Sequence, residues 1–108
     1  MMAEKLTVSE RREALAALEG WSEVEGRDAI QRRFWFEDFT AAFAFMARCA
    51  LTAERMDHHP EWFNVYNRVE VILATHSADG VTELDIRLAV LMNGAAKATG
   101  CMDDSSPA

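Results

Sequence analysis

The feature that most constrains this chain is a change of hydrophobic period at Pro60. Before it, Phe39, Phe43, Met46, Ala50 and Ala53 recur at three- and four-residue steps, the spacing of a buried stripe on a helix running from Phe39 to about Asp57. After it, Val65, Val69, Val71 and Leu73 stand at odd positions against Asn64, Arg68 and Glu70, the alternation of a half-buried strand. Proline disfavours helical geometry in the residue before it, so the helix ends by His59 and the strand pattern begins at Phe63.

The flanking segments extend that reading. Thr7 and Glu10 have the spacing of a capping box, and Ala14, Leu15, Ala17 and Leu18 give the helix that follows an apolar face through Glu19, with Gly20 as its stop. Trp21 to Glu25 and Ala29 to Phe36 read as the two strands of a hairpin about a Gly26-Arg27-Asp28 turn. In the second of them Ile30, Arg32, Phe34 and Phe36 share one face, while Gln31, Arg33 and Trp35 share the other. His76 to Gly80 is a loop. A last helix begins after Thr82, carries Leu84, Leu88, Leu91 and Met92, and stops at Gly94 or the small residues beyond it. With the stretch after Pro60 split into two strands, the order is α-β-β-α-β-β-α. The expected fold is α+β, a four-stranded antiparallel sheet with helices packed on one face.

At 108 residues the chain suits one domain, expected over residues 1–96, with the small, polar stretch from Lys97 to Ala108 as a frayed tail. A net charge of −7 argues against nucleic acid or an anionic membrane as the main partner, because both need a basic face. No apolar run approaches the ~20 residues of a bilayer span, and Met1 to Ser9 lacks the pattern of a secretory leader. The expected location is the cytoplasm. Cys49 reads as core filler and Cys101 lies in the polar tail; with no CxxC spacing, a disulfide framework is not expected.

The chemistry concentrates in the histidines. His58 and His59 close the second helix and His76 follows the main strand, all at junctions where a rigid scaffold can present a side chain. Histidine can give or take a proton near neutrality. One reading is three ordinary loop histidines. Another is a metal site of His58, His59, His76 and Glu54, but adjacent histidines diverge and HxH or HxxxH spacing is absent. A third is an acid–base site. Glu54 stands one turn before His58 and is placed either to share its face or to be a solvated carboxylate. Trp62 reads as a core or interface residue or as the wall of a pocket. Thr82 and Asp85 form a helix-start pattern, and Asp85 also has the option of supporting His76. Asp57 reads as a surface residue near the helix end.

These residues carry a resemblance. The run Glu54-x-x-x-His58-His59-Pro60-x-Trp62, followed by Asn64-Val65-Tyr66, Thr75-His76 and Thr82-x-x-Asp85-x-x-Leu88-Ala89, resembles the pterin-4a-carbinolamine dehydratases, and the likeness covers most of the chain to about Asn93. It implies a helix-on-sheet domain that forms homodimers or homotetramers and needs no metal or organic cofactor. The activity it implies is loss of water from 4a-hydroxytetrahydropterin, giving quinonoid dihydropterin, as in tetrahydrobiopterin recycling. His58, His59 and His76 match the family's three active-site histidines; the expectation is proton transfer by His58 and His76, with His59 orienting the pterin. Glu54, Trp62 and Asp85 are the expected substrate-side residues. An aromatic amino-acid hydroxylase is a possible partner. The same resemblance leaves open a non-catalytic dimerisation module for a transcription factor, or a pterin step in molybdenum-cofactor metabolism. Relatives often carry two glycines in the turn before the last helix, whereas this chain has Ala78-Asp79-Gly80-Val81, with Gly80 available for a positive φ.

Overall fold

The computed structural model describes residues 3–102. Thr7 and Glu10 close the expected capping box at the start of α1 (Val8–Ala17), which ends a little before Glu19. None of its own residues is buried; Leu15 rests partly on the core and Leu18, the C-cap, is the residue that enters it. The hairpin follows as β1 (Ser22–Glu23) and β2 (Ile30–Trp35), with Ile30, Phe34 and Phe36 fully buried beneath the helices, as the alternation requires.

Asp38 caps α2 (Phe39–Met56) by accepting from the Ala41 N–H at 2.8 Å. The buried stripe of α2 is Ala42, Phe45, Cys49 and Ala53, which shares Ala53 with the expected one, while Met46 packs partly on the core. Phe39 and Phe43 are 50% and 58% exposed, and Ala50 is exposed as well. This helix carries apolar side chains on more than one side, so periodicity alone does not choose the inward face. Packing chooses it: the Phe45 ring stands 4.6 Å from that of Phe34 and 5.1 Å from that of Phe36, centre to centre. Cys49 is core filler as expected, and burial pushes its thiol up to about 12.

Beyond Pro60 the strand region is two strands, β3 (Glu61–Val65) and β4 (Arg68–Leu73), joined through Tyr66, whose φ is 48°, and Asn67. The antiparallel order is β1-β2-β4-β3. Val69, Val71 and Leu73 are buried, but Val65 is not. The two-residue turn pairs Val65 with Arg68, and that register puts it on the outer face while Asn64 opposite Val69 faces inward.

After β4, His76–Ala78 forms a short 3-10 turn. Asp79, not Gly80, adopts the left-handed conformation (φ 56°). Gly80 is needed for a different reason: a Cβ there would stand 2.6 Å from Asp28 Oδ2. The last helix, α3 (Glu83–Ala98), buries Leu88, Ala89, Met92 and Ala96, leaves Leu91 48% exposed, and runs straight through Gly94. Its final turn is anchored by the buried Ala96. Cys101 then packs against the core and the Met102 N–H donates to Trp35 O at 2.7 Å, so the first part of the expected tail docks on β2. Residues 103–108, the rest of that tail, lie outside the described residues. Among the described residues no helix is long and apolar enough to cross a membrane.

Candidate active site

The antiparallel registers Glu61↔Ile72 and Ile30↔Leu73 bring three loops to one end of the sheet: the β1–β2 turn, the α2–β3 junction and the segment after β4. All three histidines belong to these loops.

His58 is turned inward by its local backbone. Asp57, exposed as expected, takes a left-handed conformation (φ 51°), and the His58 N–H donates to Ala53 O at 3.0 Å, an arrangement that reverses the chain at the helix end. The His58 side chain is 7% exposed, with Nε2 2.6 Å from Asp85 Oδ1. Asp85 is fully buried, and its Oδ2 accepts from the Thr82 N–H at 2.9 Å and the Thr75 hydroxyl at 2.8 Å. A carboxylate only accepts, so the imidazole donates Nε2–H and keeps Nδ1 for other partners. Asp85 closes the capping box of α3, the helix-start role its spacing indicated. Its histidine partner is His58, not His76, which it reaches only along the chain through Thr75.

Glu54 follows the second of its two readings, a solvated carboxylate. Its Oε1 lies 2.7 Å from Nε2 of His59, not against His58, because the left-handed Asp57 breaks the helical register that would have stacked Glu54 under His58. This pair is open to solvent, with Glu54 80% and His59 56% exposed. His76 is more open still, at 85%, and its Nε2 stands 3.8 Å from Oε2 of Glu61. Arg27 grips Glu61 with both terminal nitrogens, Nη1 to Oε1 at 2.9 Å and Nη2 to Oε2. The bonds from Arg27 outweigh burial and, together with His76, hold the Glu61 carboxyl below its usual range; the same bonds raise Arg27. Trp62, opposite Val71, is partly buried, packs on the core and also lines the larger cleft described below.

Sequence reasoning missed Arg27 and Glu61, which are 34 residues apart and meet only because two hairpins end together. It also gave Thr75 no task, although its hydroxyl ties β4 to Asp85 and to Thr82 Oγ1 at 2.7 Å. A small depression of about 70 Å³ beside His76 is bounded by Arg27, Thr75 and Asp79. The larger cleft, about 720 Å³, lies over the outer face of the sheet along Gln31, Arg33, Trp35 and Glu70 and touches none of the histidines. Among the described residues no group of three or more His, Cys, Asp and Glu is arranged to hold a metal ion. The arrangement suits proton transfer: one buried imidazole braced by a carboxylate, and two exposed imidazoles each beside a carboxylate.

Comparison with known proteins places the chain in a family. Residues 4–95 match the family model described as pterin 4 alpha carbinolamine dehydratase. Proteins of Brucella ovis and Brucella canis named "Putative pterin-4-alpha-carbinolamine dehydratase" are 62% identical over 96 residues, covering 89% of this chain and 99% of theirs. A crystal structure of a transcriptional coactivator/pterin dehydratase from Brucella melitensis superimposes with a TM-score of 0.85 at 63% identity, over 86% of this chain and 99% of that one. A pterin dehydratase-like protein identified as a RuBisCO assembly factor in the alpha-carboxysome has a TM-score of 0.63 at 20% identity, over 72% of this chain and 90% of that one, and shares the fold. With its match spanning nearly the whole described chain, this protein belongs to the pterin-4-alpha-carbinolamine dehydratase family.

Proposed function

We propose that the chain removes water from 4a-hydroxytetrahydropterin, the step that regenerates quinonoid dihydropterin in tetrahydrobiopterin recycling, by histidine acid–base catalysis. The observation that carries this reading is the buried His58–Asp85 pair, joined through Thr75 to the segment bearing His76. Loss of hydroxide from carbon 4a needs a proton on the leaving oxygen, and a ring-nitrogen proton must depart. His58 and His76 exchange these two protons. Asp85 fixes the tautomer of His58 and balances its charge when the ring is protonated, and assistance of this kind is worth ~10²–10⁴-fold. His59, held by Glu54, orients the pterin ring. The chain acts as a homodimer or homotetramer; Phe39, Phe43, Leu51 and Phe63, each at least half exposed, supply apolar surface for subunit contact.

The test is stopped-flow absorbance on freshly generated 4a-hydroxytetrahydropterin, comparing wild type with His58→Ala, His59→Ala and His76→Ala. Acceleration over buffer that drops steeply at His58 and His76 is the expected result. Undiminished turnover in all three variants overturns the reading.

A further inference from the structure

We propose that Glu61, held by Arg27, is the positioning residue of His76, so that the β1–β2 turn governs the reaction without touching the substrate. This rests on the dehydratase reading above. His76 sits on a surface turn and is 85% exposed, so packing does not fix its ring. Its Nε2 has the Glu61 carboxylate 3.8 Å away. Glu61, in contrast, is fixed twice. Its backbone opens β3 directly after Pro60, opposite Ile72, and its two carboxylate oxygens meet the two terminal nitrogens of Arg27. A guanidinium fork sets the plane of a carboxylate as well as its place.

The next residue of the same turn clamps the other side of the His76 loop. Asp28 Oδ1 accepts from the Val81 N–H at 3.1 Å and meets Arg11, and Oδ2 lies 3.3 Å from Lys5. Gly80 packs against that carboxylate at a distance no Cβ tolerates. The loop from His76 to Val81 is therefore held at one end through Arg27 and Glu61, and at the other through Asp28. The charged groups around His76 are Glu61 from β3, Arg27 and Asp28 from the hairpin turn, and Asp79 from its own loop. Of these, Glu61 is the one whose carboxylate stands within 4 Å of a ring nitrogen. Because Arg27 and Glu61 are 41% and 42% exposed, their pairing adds little to stability. What it supplies is orientation: an anion on the Nε2 side, leaving Nδ1 for the pterin.

The experiment uses Glu61→Gln in the full chain, a change that keeps shape and removes the charge. A kcat about tenfold lower, a fraction of what an acid–base group contributes, is expected, with KM within about twofold and the melting temperature unchanged. Adding Glu61→Gln to His76→Ala then costs nothing further, and Arg27→Ala reproduces the loss without adding to it. In isotope-labelled protein at fixed pH, the ring resonances of His76 move in Glu61→Gln while those of His58 and His59 stay. An unchanged kcat in Glu61→Gln beside an impaired His76→Ala overturns the proposal, as do fully additive losses with unmoved His76 resonances. If His76→Ala itself retains full turnover, it is the catalytic assignment of His76 that falls, and the resonances alone decide whether Glu61 positions the ring.

Discussion

Asp85→Asn probes the centre of the site with the smallest change of shape. In the native protein a fully buried carboxylate accepts from His58 Nε2 at 2.6 Å, the Thr75 hydroxyl at 2.8 Å and the Thr82 N–H at 2.9 Å. An asparagine oxygen can keep Thr75 and Thr82, which leaves its amide facing His58. Donor then meets donor unless the imidazole moves its proton to Nδ1. A charge-assisted hydrogen bond, worth ~1.5–3 kcal/mol, is thereby replaced by a neutral one worth ~0.5–1.5 kcal/mol. The net loss of about 1–2 kcal/mol corresponds to a fall in melting temperature of roughly 5–15 °C for a domain of this size. The catalytic effect is larger. With its proton on Nδ1, His58 presents a donor where an acceptor is required; the equivalent exchange in a Ser-His-Asp triad lowers kcat by ~10⁴ for this reason. Here His76 remains as the second acid–base group of the proposed mechanism, so the expected fall is about 10²-fold. Stopped-flow turnover and circular-dichroism melting read the two effects separately, and nitrogen chemical shifts of His58 report the tautomer. A folded Asp85→Asn variant with kcat within about twofold of wild type would refute the assignment of Asp85 as the group that orients His58.

Three further outcomes follow from the same contacts. Phe45→Ala should cost about 3–5 kcal/mol in denaturant unfolding, because the ring is fully buried between Phe34 and Phe36; a loss below about 1 kcal/mol would contradict the inward face assigned to α2. Asp28→Asn should destabilise the protein at neutral pH and match wild type in strong acid. Burial opposes ionisation of Asp28, but the bonds from Val81 and Arg11 outweigh it and lower its pKa, so its contribution is present above the unfolded value and disappears as pH falls through the folded one. Urea midpoints measured across that range check it, and a difference that persists in strong acid would be the wrong sign. Glu54→Gln should raise KM about threefold with little change in kcat, since Glu54 holds His59 rather than His58; a selective loss of kcat would contradict that assignment.

Local chemistry wrote much of this molecule plainly. Capping boxes at Thr7 and Thr82, the alternation through β2 and β4, and the stop at Pro60 each act within a few residues, and each appears where the pattern put it. The three histidines were legible for a related reason, since residues at element ends are marked by the very punctuation that ends the elements. Partners were another matter. Phe43 and Phe45 are equally apolar, and only the space beneath the Phe34 and Phe36 rings sends one inward and leaves the other out. The left-handed turn at Asp57 moved Glu54 from His58 to His59 and freed His58 to meet Asp85, 27 residues along the chain. Arg27, Glu61 and His76 come together because antiparallel pairing returns separate loops to one end of the sheet. Caps, turns and periods depend on near neighbours, so residue order suffices to write them; which carboxylate meets which imidazole depends on how three loops converge, and that convergence exists only once the sheet has closed.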